Sequence, residues 1–291
     1  MQPRDLVLAL IVVLVWGINF IAIKWGVEEI SPYMLTALRY IGCALPAVFF
    51  IRRPQVSLGL LTAYGFSVGV LQFSFLFLAM REGMPAGLAS LVMQMQVFFT
   101  LALAVLVLRD RPAWVQWAGA GLALIGLSVI GAEHVGGAIW GPLLLTIVAA
   151  FWWAVSNIVT KQAGKIDMLA FVVWGALIPP LPMVVLALIF DGPSAITGLL
   201  AVSPQAIGSV LFIAYGSTLL GYGCWAFLLG KYPASMVAPF TLLVPIVGFV
   251  AAYFILGEQM SWFEIGGSLL IFLGLLLNVF GPRFLNRVRS N

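Results

Sequence analysis

Val15-Trp16-Gly17-Ile18-Asn19-Phe20-Ile21-Ala22-Ile23-Lys24 lies inside the first long apolar run of the chain and ends it with a charge. A helix facing only lipid would carry leucine where this one carries Trp16 and Asn19, because an unbonded amide in hydrocarbon is costly. The same design returns as Trp153-Ala154-Val155-Ser156-Asn157-Ile158-Val159-Thr160-Lys161. Trp16 and Lys24 stand 137 positions before Trp153 and Lys161. A membrane helix that is polar and aromatic on one face, and that recurs in both halves of a chain, points to a transport pathway.

Composition sets the surroundings of that helix. Of 291 residues, 63% are hydrophobic and 8% are charged, and the mean hydropathy is +1.13. A soluble domain carries about 25% charged residues, so the deficit excludes a cytosolic enzyme. Apolar runs long enough to cross the bilayer predict an all-α polytopic membrane protein of ten spans. They cover roughly 6–25, 33–51, 59–80, 86–108, 114–132, 141–161, 168–190, 205–229, 236–256 and 263–281. The first run is too long for a signal-peptide core and reads as an uncleaved helix. The connections are short, including the Gly-rich 133–137, except after Asp191, where Gly192, Pro193, Gly198, Ser203 and Pro204 leave room for a short interfacial helix. The net charge of +4 belongs to loops beside lipid headgroups and not to a nucleic-acid site. Cys43 and Cys224 fall inside spans of different halves and read as small core residues.

The Lys and Arg positions set the orientation. With the N-terminus in the cytoplasm, that side receives Arg4, Arg52, Arg53, Arg109, Arg111, Lys161, Lys165, Lys231, Arg283, Arg287 and Arg289. The opposite side receives Lys24 and Arg81. This bias follows the positive-inside rule and places both termini in the cytoplasm. Tyr33, Trp114, Trp140 and Trp262, near span ends, read as interfacial anchors.

The repeat extends well beyond the opening stretch. Ala63-Tyr64-Gly65 matches Ala214-Tyr215-Gly216. Pro85-Ala86, Leu108, Trp114, Gly119, Leu122 and Gly126 match Pro233-Ala234, Leu256, Trp262, Gly267, Leu270 and Gly274, each pair 148 residues apart. Asp110 then corresponds to Glu258. The expected units are residues 1–133 and 134–291, each of five spans. An odd number of spans puts the two units into the membrane with opposite orientations, the plan of secondary transporters with a midplane site. A duplicated scaffold without transport is the rival from another class.

The polar residues at membrane depth carry the chemistry. Asn19, Gln72, Gln94, Gln96, Ser156 and Asn157 supply amide and hydroxyl groups, which either line a pathway or bond helix to helix. Trp16, Trp152, Trp153, Trp174, Tyr222 and Trp225 supply aromatic walls. Gln94 and Gln96 sit about 200° apart on an α-helix, so only one is expected to face the pathway, and Gln94 is favoured. The candidate substrate-binding set is therefore Trp16, Asn19, Gln72, Gln94, Trp153, Asn157, Tyr222 and Trp225. Such a lining suits a small zwitterion held by hydrogen bonds and by a ring face against its ammonium. Arg39 either attracts a substrate carboxylate or pairs with Glu28, Glu29 or another acid near the surface. Its place about two turns into its helix favours the ion pair. Lys24 and Lys161 are expected to snorkel to opposite surfaces.

Motion has candidate seats as well. Pro46, Pro179, Pro180, Pro182, Pro239 and Pro245 lie within spans, where each removes a helix hydrogen bond. Gly221 and Gly223 flank Tyr222 and permit either a hinge or close helix packing. The chain has no Walker-type loop for ATP, and its sole histidine, His134, lies in a loop. No metal-ligand cluster and no cofactor motif stands out. Since no carboxylate sits at mid-span, downhill export is an open mechanism, with proton coupling through Glu258 or through a proton on the bound substrate as its competitor.

In wording the chain resembles the EamA family of the drug/metabolite transporter superfamily. The resemblance rests on Val15-Trp16-Gly17-Ile18-Asn19-Phe20, Gln72-Phe73, Phe75-Leu76-Phe77, Gly83-Met84-Pro85-Ala86-Gly87-Leu88-Ala89-Ser90-Leu91-Val92, Gly221-Tyr222-Gly223-Cys224-Trp225 and Leu242-Leu243-Val244-Pro245, and on the acids Asp110 and Glu258 that close the fourth and ninth spans. It implies ten helices in two inverted five-helix repeats, a bacterial inner-membrane location, and export of small amino-acid metabolites such as cysteine and O-acetylserine. A broader drug or aromatic-metabolite exporter is the rival within transport. Asp110 departs from the family pattern, which more often has Glu there.

Overall fold

The computed structural model describes residues 1–134, 137–232 and 234–290, with backbone alone for 234–235 and 283–290. The side chains of Arg283, Arg287 and Arg289, the Pro233-Ala234 part of the repeat and the middle of the 133–137 loop lie outside what is described. Among the described residues, every regular element is helix. This is the expected outcome where apolar runs must satisfy their own backbone groups.

In chain order the long elements are α1 (Pro3–Glu29), α2 (Pro32–Val48), α3 (Leu58–Arg81), α4 (Ala86–Leu108), α5 (Trp114–Glu133) and α6 (Trp140–Gln162). They continue with α7 (Met168–Phe190), α8 (Pro204–Lys231), α9 (Ala238–Leu256) and α10 (Trp262–Ser290). Among the described residues, nine of these are long and apolar enough to cross a membrane. The other, α2, stops at Val48 after 17 residues, short of the expected 33–51. Pro46 in its last turn removes a backbone donor, and the chain leaves the helix at Phe49 and Phe50. After Asp191 a short helix, Ser194–Thr197, continues as a 3-10 turn over Gly198–Ala201, at the place where the sequence left room for one.

Local chemistry sets the boundaries. Ser57, Asp167 and Ser203 accept from the amides of Leu60, Ala170 and Ala206, capping the starts of α3, α7 and α8. Four helices depart from α geometry inside the bundle, α9 among them with a 3-10 start over Ala238–Leu242 and a π-helical end over Ala252–Leu256. α3 widens to a π-helix over Gly65–Gln72, α8 does so over Phe212–Gly221, and α4 tightens to a 3-10 turn over Met93–Met95. α7 is interrupted between Gly175 and Pro180, as its proline cluster suggested.

The packing exchanges elements between the two halves of the chain. α1 packs against α8 and α9, and α6 packs against α3 and α4. α5 and α10 run together with backbone nearly touching backbone. A Cβ on Gly119 would come within 2.5 Å of the Gly274 carbonyl, and one on Gly126 within 2.4 Å of that of Gly267. Only glycine admits such an approach. The outside is the apolar face: Leu200 is 92% exposed, Phe50 87% and Trp262 86%, while Arg39 is 2% exposed. A soluble protein would invert that distribution. Trp114 and Trp140 also show at helix starts, and Tyr33 stacks on Phe190 with centroids 5.4 Å apart.

Candidate functional site

All eight candidate residues line one cavity of about 370 Å³ in the middle of the bundle. The volume falls at the small end of the range of about 300–1,000 Å³ typical of ligand sites. Trp16 and Asn19 come from α1, Gln72 from α3, Gln94 from α4, Trp153 and Asn157 from α6, and Tyr222 and Trp225 from α8. The exchange packing is what brings them together, since α1 and α6 each lie against helices of the other half.

Trp16 is held on two sides. Its Nε1 donates to the Ser217 carbonyl at 3.1 Å, within the π-helical stretch of α8. Its ring meets Tyr222 at 5.4 Å and Trp225 at 5.3 Å, both tilted. Gly221 allows this, because a Cβ there would lie 2.5 Å from Trp16 Nε1. π-Helical turns of this kind are frequent at functional sites.

The amides divide into bonded and unbonded. Asn157 Nδ2 donates to Gln96 Oε1 at 2.7 Å and to Thr100 Oγ1 at 3.1 Å. Gln94 Nε2 donates to the Thr241 carbonyl of α9 at 3.2 Å. Gln96 lines the cavity together with Gln94, against the expectation that only one would. The 3-10 turn at Met93–Met95 changes the angle between them, and the cavity is broad enough to take both. Asn19 Oδ1 and Gln72 Oε1 are buried and have no hydrogen-bond partner among the described residues.

Arg39 overturns the expected ion pair. It is part of the cavity wall, and its Nε and Nη1 are buried without a partner among the described residues. Its guanidinium carbon lies 3.8 Å from the centroid of the Phe73 ring and 5.7 Å from that of Tyr40. The acids near its helix start are engaged elsewhere. Glu29 accepts from the amide and hydroxyl of Ser203, and Asp191 accepts from Ser31 and Arg81. A charge at membrane depth is costly unless it is paired, and the described neighbours of this one are two aromatic rings and no acid. The charge is thus not fully compensated by its described neighbours. Among the described residues, no Asp or Glu lines the cavity.

Other expectations are corrected too. Trp152 and Trp174 are not cavity walls: Trp152 packs on Phe151, and Trp174 Nε1 donates to the Ile51 carbonyl at 2.9 Å. Adjacent helical residues diverge by about 100°, so Trp152 turns away from the face that Trp153 presents to the cavity. Lys24 Nζ donates to the Met80 carbonyl at 3.1 Å, in the last turn of α3. Sequence reasoning did not place Tyr64, Ser90 or Ser217 in the wall. Only Tyr64 carried a signal, in the repeated Ala-Tyr-Gly.

The two ends of the cavity differ. Its wall extends to Thr160, Met168, Ala226 and Leu229, and a second recess beside Gly164–Asp167 shares the last three of these. Beyond the other end, Glu258 accepts from the amides of Ala86 at 2.7 Å and Gly87 at 3.0 Å, and the Lys24, Glu29 and Asp191 contacts close the same side.

A polar and aromatic chamber enclosed by long apolar helices defines a polytopic membrane transporter. The chain belongs to the EamA-like transporter family, which it matches over residues 4–132 and 140–280, and it is therefore a transporter and not an enzyme. It is 44% identical to a "Probable amino-acid metabolite efflux pump" of Salmonella typhimurium, over 97% of each chain. A protein of Escherichia coli K12 with the same description is 42% identical over 99% of each chain. A solved structure described as "Crystal structure of protein" superposes with a TM-score of 0.60 at 16% identity, covering 96% of this chain and 98% of that one, a likeness of fold alone.

Proposed function

We propose that the protein exports small amino-acid metabolites, cysteine and O-acetylserine among them, by alternating access around the central cavity. The observation that carries this reading is the convergence of the eight polar and aromatic side chains on one small chamber, with no carboxylate among its described lining. The two relatives described as probable amino-acid metabolite efflux pumps support the substrate class. The architecture in this reading is ten spans in two inverted five-helix repeats, residues 1–133 and 134–291, with α2 as the short tenth span. The reciprocal contacts of Gly119 with Gly274 and Gly126 with Gly267 fit such a two-fold relation, since each glycine faces the repeat partner of the other. Location is a bacterial inner membrane with both termini cytoplasmic. In that orientation the wall at Thr160, Met168 and Leu229 faces the cytoplasm and the end closed by Glu258 faces outward. The small volume favours amino-acid-sized substrates over the larger compounds of a drug exporter.

Counterflow in proteoliposomes tests the proposal, using labelled cysteine and O-acetylserine with and without a pH gradient. Accumulation of either supports it, and accumulation of neither removes the amino-acid reading. Accumulation indifferent to the gradient removes obligatory proton coupling. Asn19→Leu and Gln94→Leu should each slow counterflow by about tenfold, the loss expected for a site hydrogen bond of about 1.5 kcal/mol. Two well-folded variants at the parent rate would remove both residues from the pathway.

A further inference from the structure

We propose that Arg39 is the carboxylate anchor of the cavity, so that the site selects amino acids with a free carboxyl group over amines and esters. The inference rests on the transport reading above and names the group the site would recognise.

Position is the first observation. Arg39 stands on α2 seven residues after Pro32, near the closed end of the chamber, and it is 2% exposed. Its Nε and Nη1 have no acceptor among the described residues. Phe73 covers the face of the guanidinium at 3.8 Å. Stacking occupies that face and leaves the N–H donors around the rim, where they match the two oxygens of a carboxylate. Arginine keeps its charge in proteins, so the group cannot escape burial by losing its proton.

Complementarity is the second. Within the same wall, Asn19 Oδ1 and Gln72 Oε1 are acceptors without described donors. Unsatisfied donors and unsatisfied acceptors in one chamber, with no acid in the described lining, match a zwitterion. Its carboxylate meets Arg39, and its ammonium meets amide oxygens and the faces of Trp16 and Trp225. A bare amine would face Arg39 as a like charge. A neutral aromatic compound would leave the guanidinium uncompensated.

The test is binding to the full chain in detergent under reducing conditions, read by the intrinsic fluorescence of its ten tryptophans, of which Trp16, Trp153 and Trp225 line the cavity. The ligands are L-cysteine, its methyl ester and cysteamine, the same molecule without the carboxyl group. The parent should bind cysteine about tenfold or more tighter than the other two, the scale of a desolvated charged hydrogen bond. Arg39→Gln should lower cysteine affinity by about tenfold, leave ester affinity equal or higher because a like charge is gone, and bring the ratio to one or below. Retained ester binding serves as its folding control. Arg39→Lys should retain part of the preference, because it keeps the charge without the planar fork. A parent that binds the three ligands alike, or binds none, overturns the assignment whatever the variants do, as does an Arg39→Gln protein with the parent ratio. Failed counterflow beside an intact, Arg39-dependent ratio would count against export alone and leave the anchor standing.

Discussion

At the end of α4, Arg109 turns into left-handed backbone at φ 57°, and the Asp110 amide donates to the Ala104 carbonyl at 3.2 Å. At the end of α9, Gly257 takes φ 68°, and the Glu258 amide donates to the Ala252 carbonyl at 3.2 Å. Each pair of residues is separated by the repeat distance of 148, and the backbone plan is the same. The acids nonetheless find different partners. Glu258 closes on the first two amides of α4, while Asp110 pairs with Lys161 at the surface. The opening stretches diverge in the same way. Asn157 is bonded to Gln96 and Thr100, whereas Asn19 keeps an oxygen without a described partner, and Lys24 ends on the Met80 carbonyl where Lys161 ends on Asp110. Related sequence therefore builds one tightly closed end and one end held by an exposed ion pair. A difference of this kind between the ends is what the proposed alternating access requires of a state open to one side only.

The largest break in that comparison should come from the asparagines. Asn157→Leu removes the two hydrogen bonds that its Nδ2 gives to Gln96 Oε1 and Thr100 Oγ1, leaving only the longer Thr100–Gln96 bond at 3.4 Å. We expect a loss of about 2 kcal/mol in detergent unfolding. Asn19→Leu removes an oxygen that had no described partner, so its stability should stay within about 0.5 kcal/mol of the parent, while counterflow falls. Equal destabilisation by both would mean that the two asparagines do the same structural job, and the contrast between the stretches would be lost.

The acids come next. Glu258→Gln removes a negative charge from the start of α4, where the helix dipole and two free amides favour it, at a cost of about 1 kcal/mol. Asp110→Asn breaks an ion pair whose side chains are 44% and 56% exposed, worth no more than about 0.5 kcal/mol after screening. Added salt should narrow the second difference and leave the first nearly unchanged. Thermal unfolding of both variants at low and high salt reads this directly. A salt-sensitive Glu258→Gln would show that its contact is as exposed as that of Asp110.

The helical fold was largely legible because its main determinant is one-dimensional: apolar runs, and the prolines and glycines between them. The eight lining residues were legible for a related reason, since amides and indoles at membrane depth are conspicuous against leucine. What escaped depended on three-dimensional partners. Glu29 lies close to Arg39 in sequence, but it is taken by Ser203, which arrives from the start of α8. The pairing of Gln94 and Gln96 in one wall depends on a 3-10 turn that hydrophobic periodicity does not reveal. Trp174 looks like any other mid-span tryptophan until the chain just past α2 supplies the Ile51 carbonyl. Pro46 did announce the early end of α2, although the apolar residues that follow it concealed the consequence.

The smallest expected effect is also the sharpest probe of the shared backbone plan. Arg109 is the one non-glycine with positive φ among the described residues, at the position where the other half has Gly257. A left-handed conformation costs a residue with a Cβ about 1 kcal/mol or more, and glycine returns part of that through its looser unfolded chain. Arg109→Gly should thus stabilise by about 0.5 kcal/mol, and Gly257→Ala should destabilise by a similar amount. Detergent unfolding midpoints of the two single variants decide the matter. Opposite signs of similar size would mean that the two loops carry the same strain and that only their acids distinguish them. A destabilising Arg109→Gly would mean that the arginine side chain itself holds the end of α4, and the difference between the halves would then begin one residue earlier than Asp110.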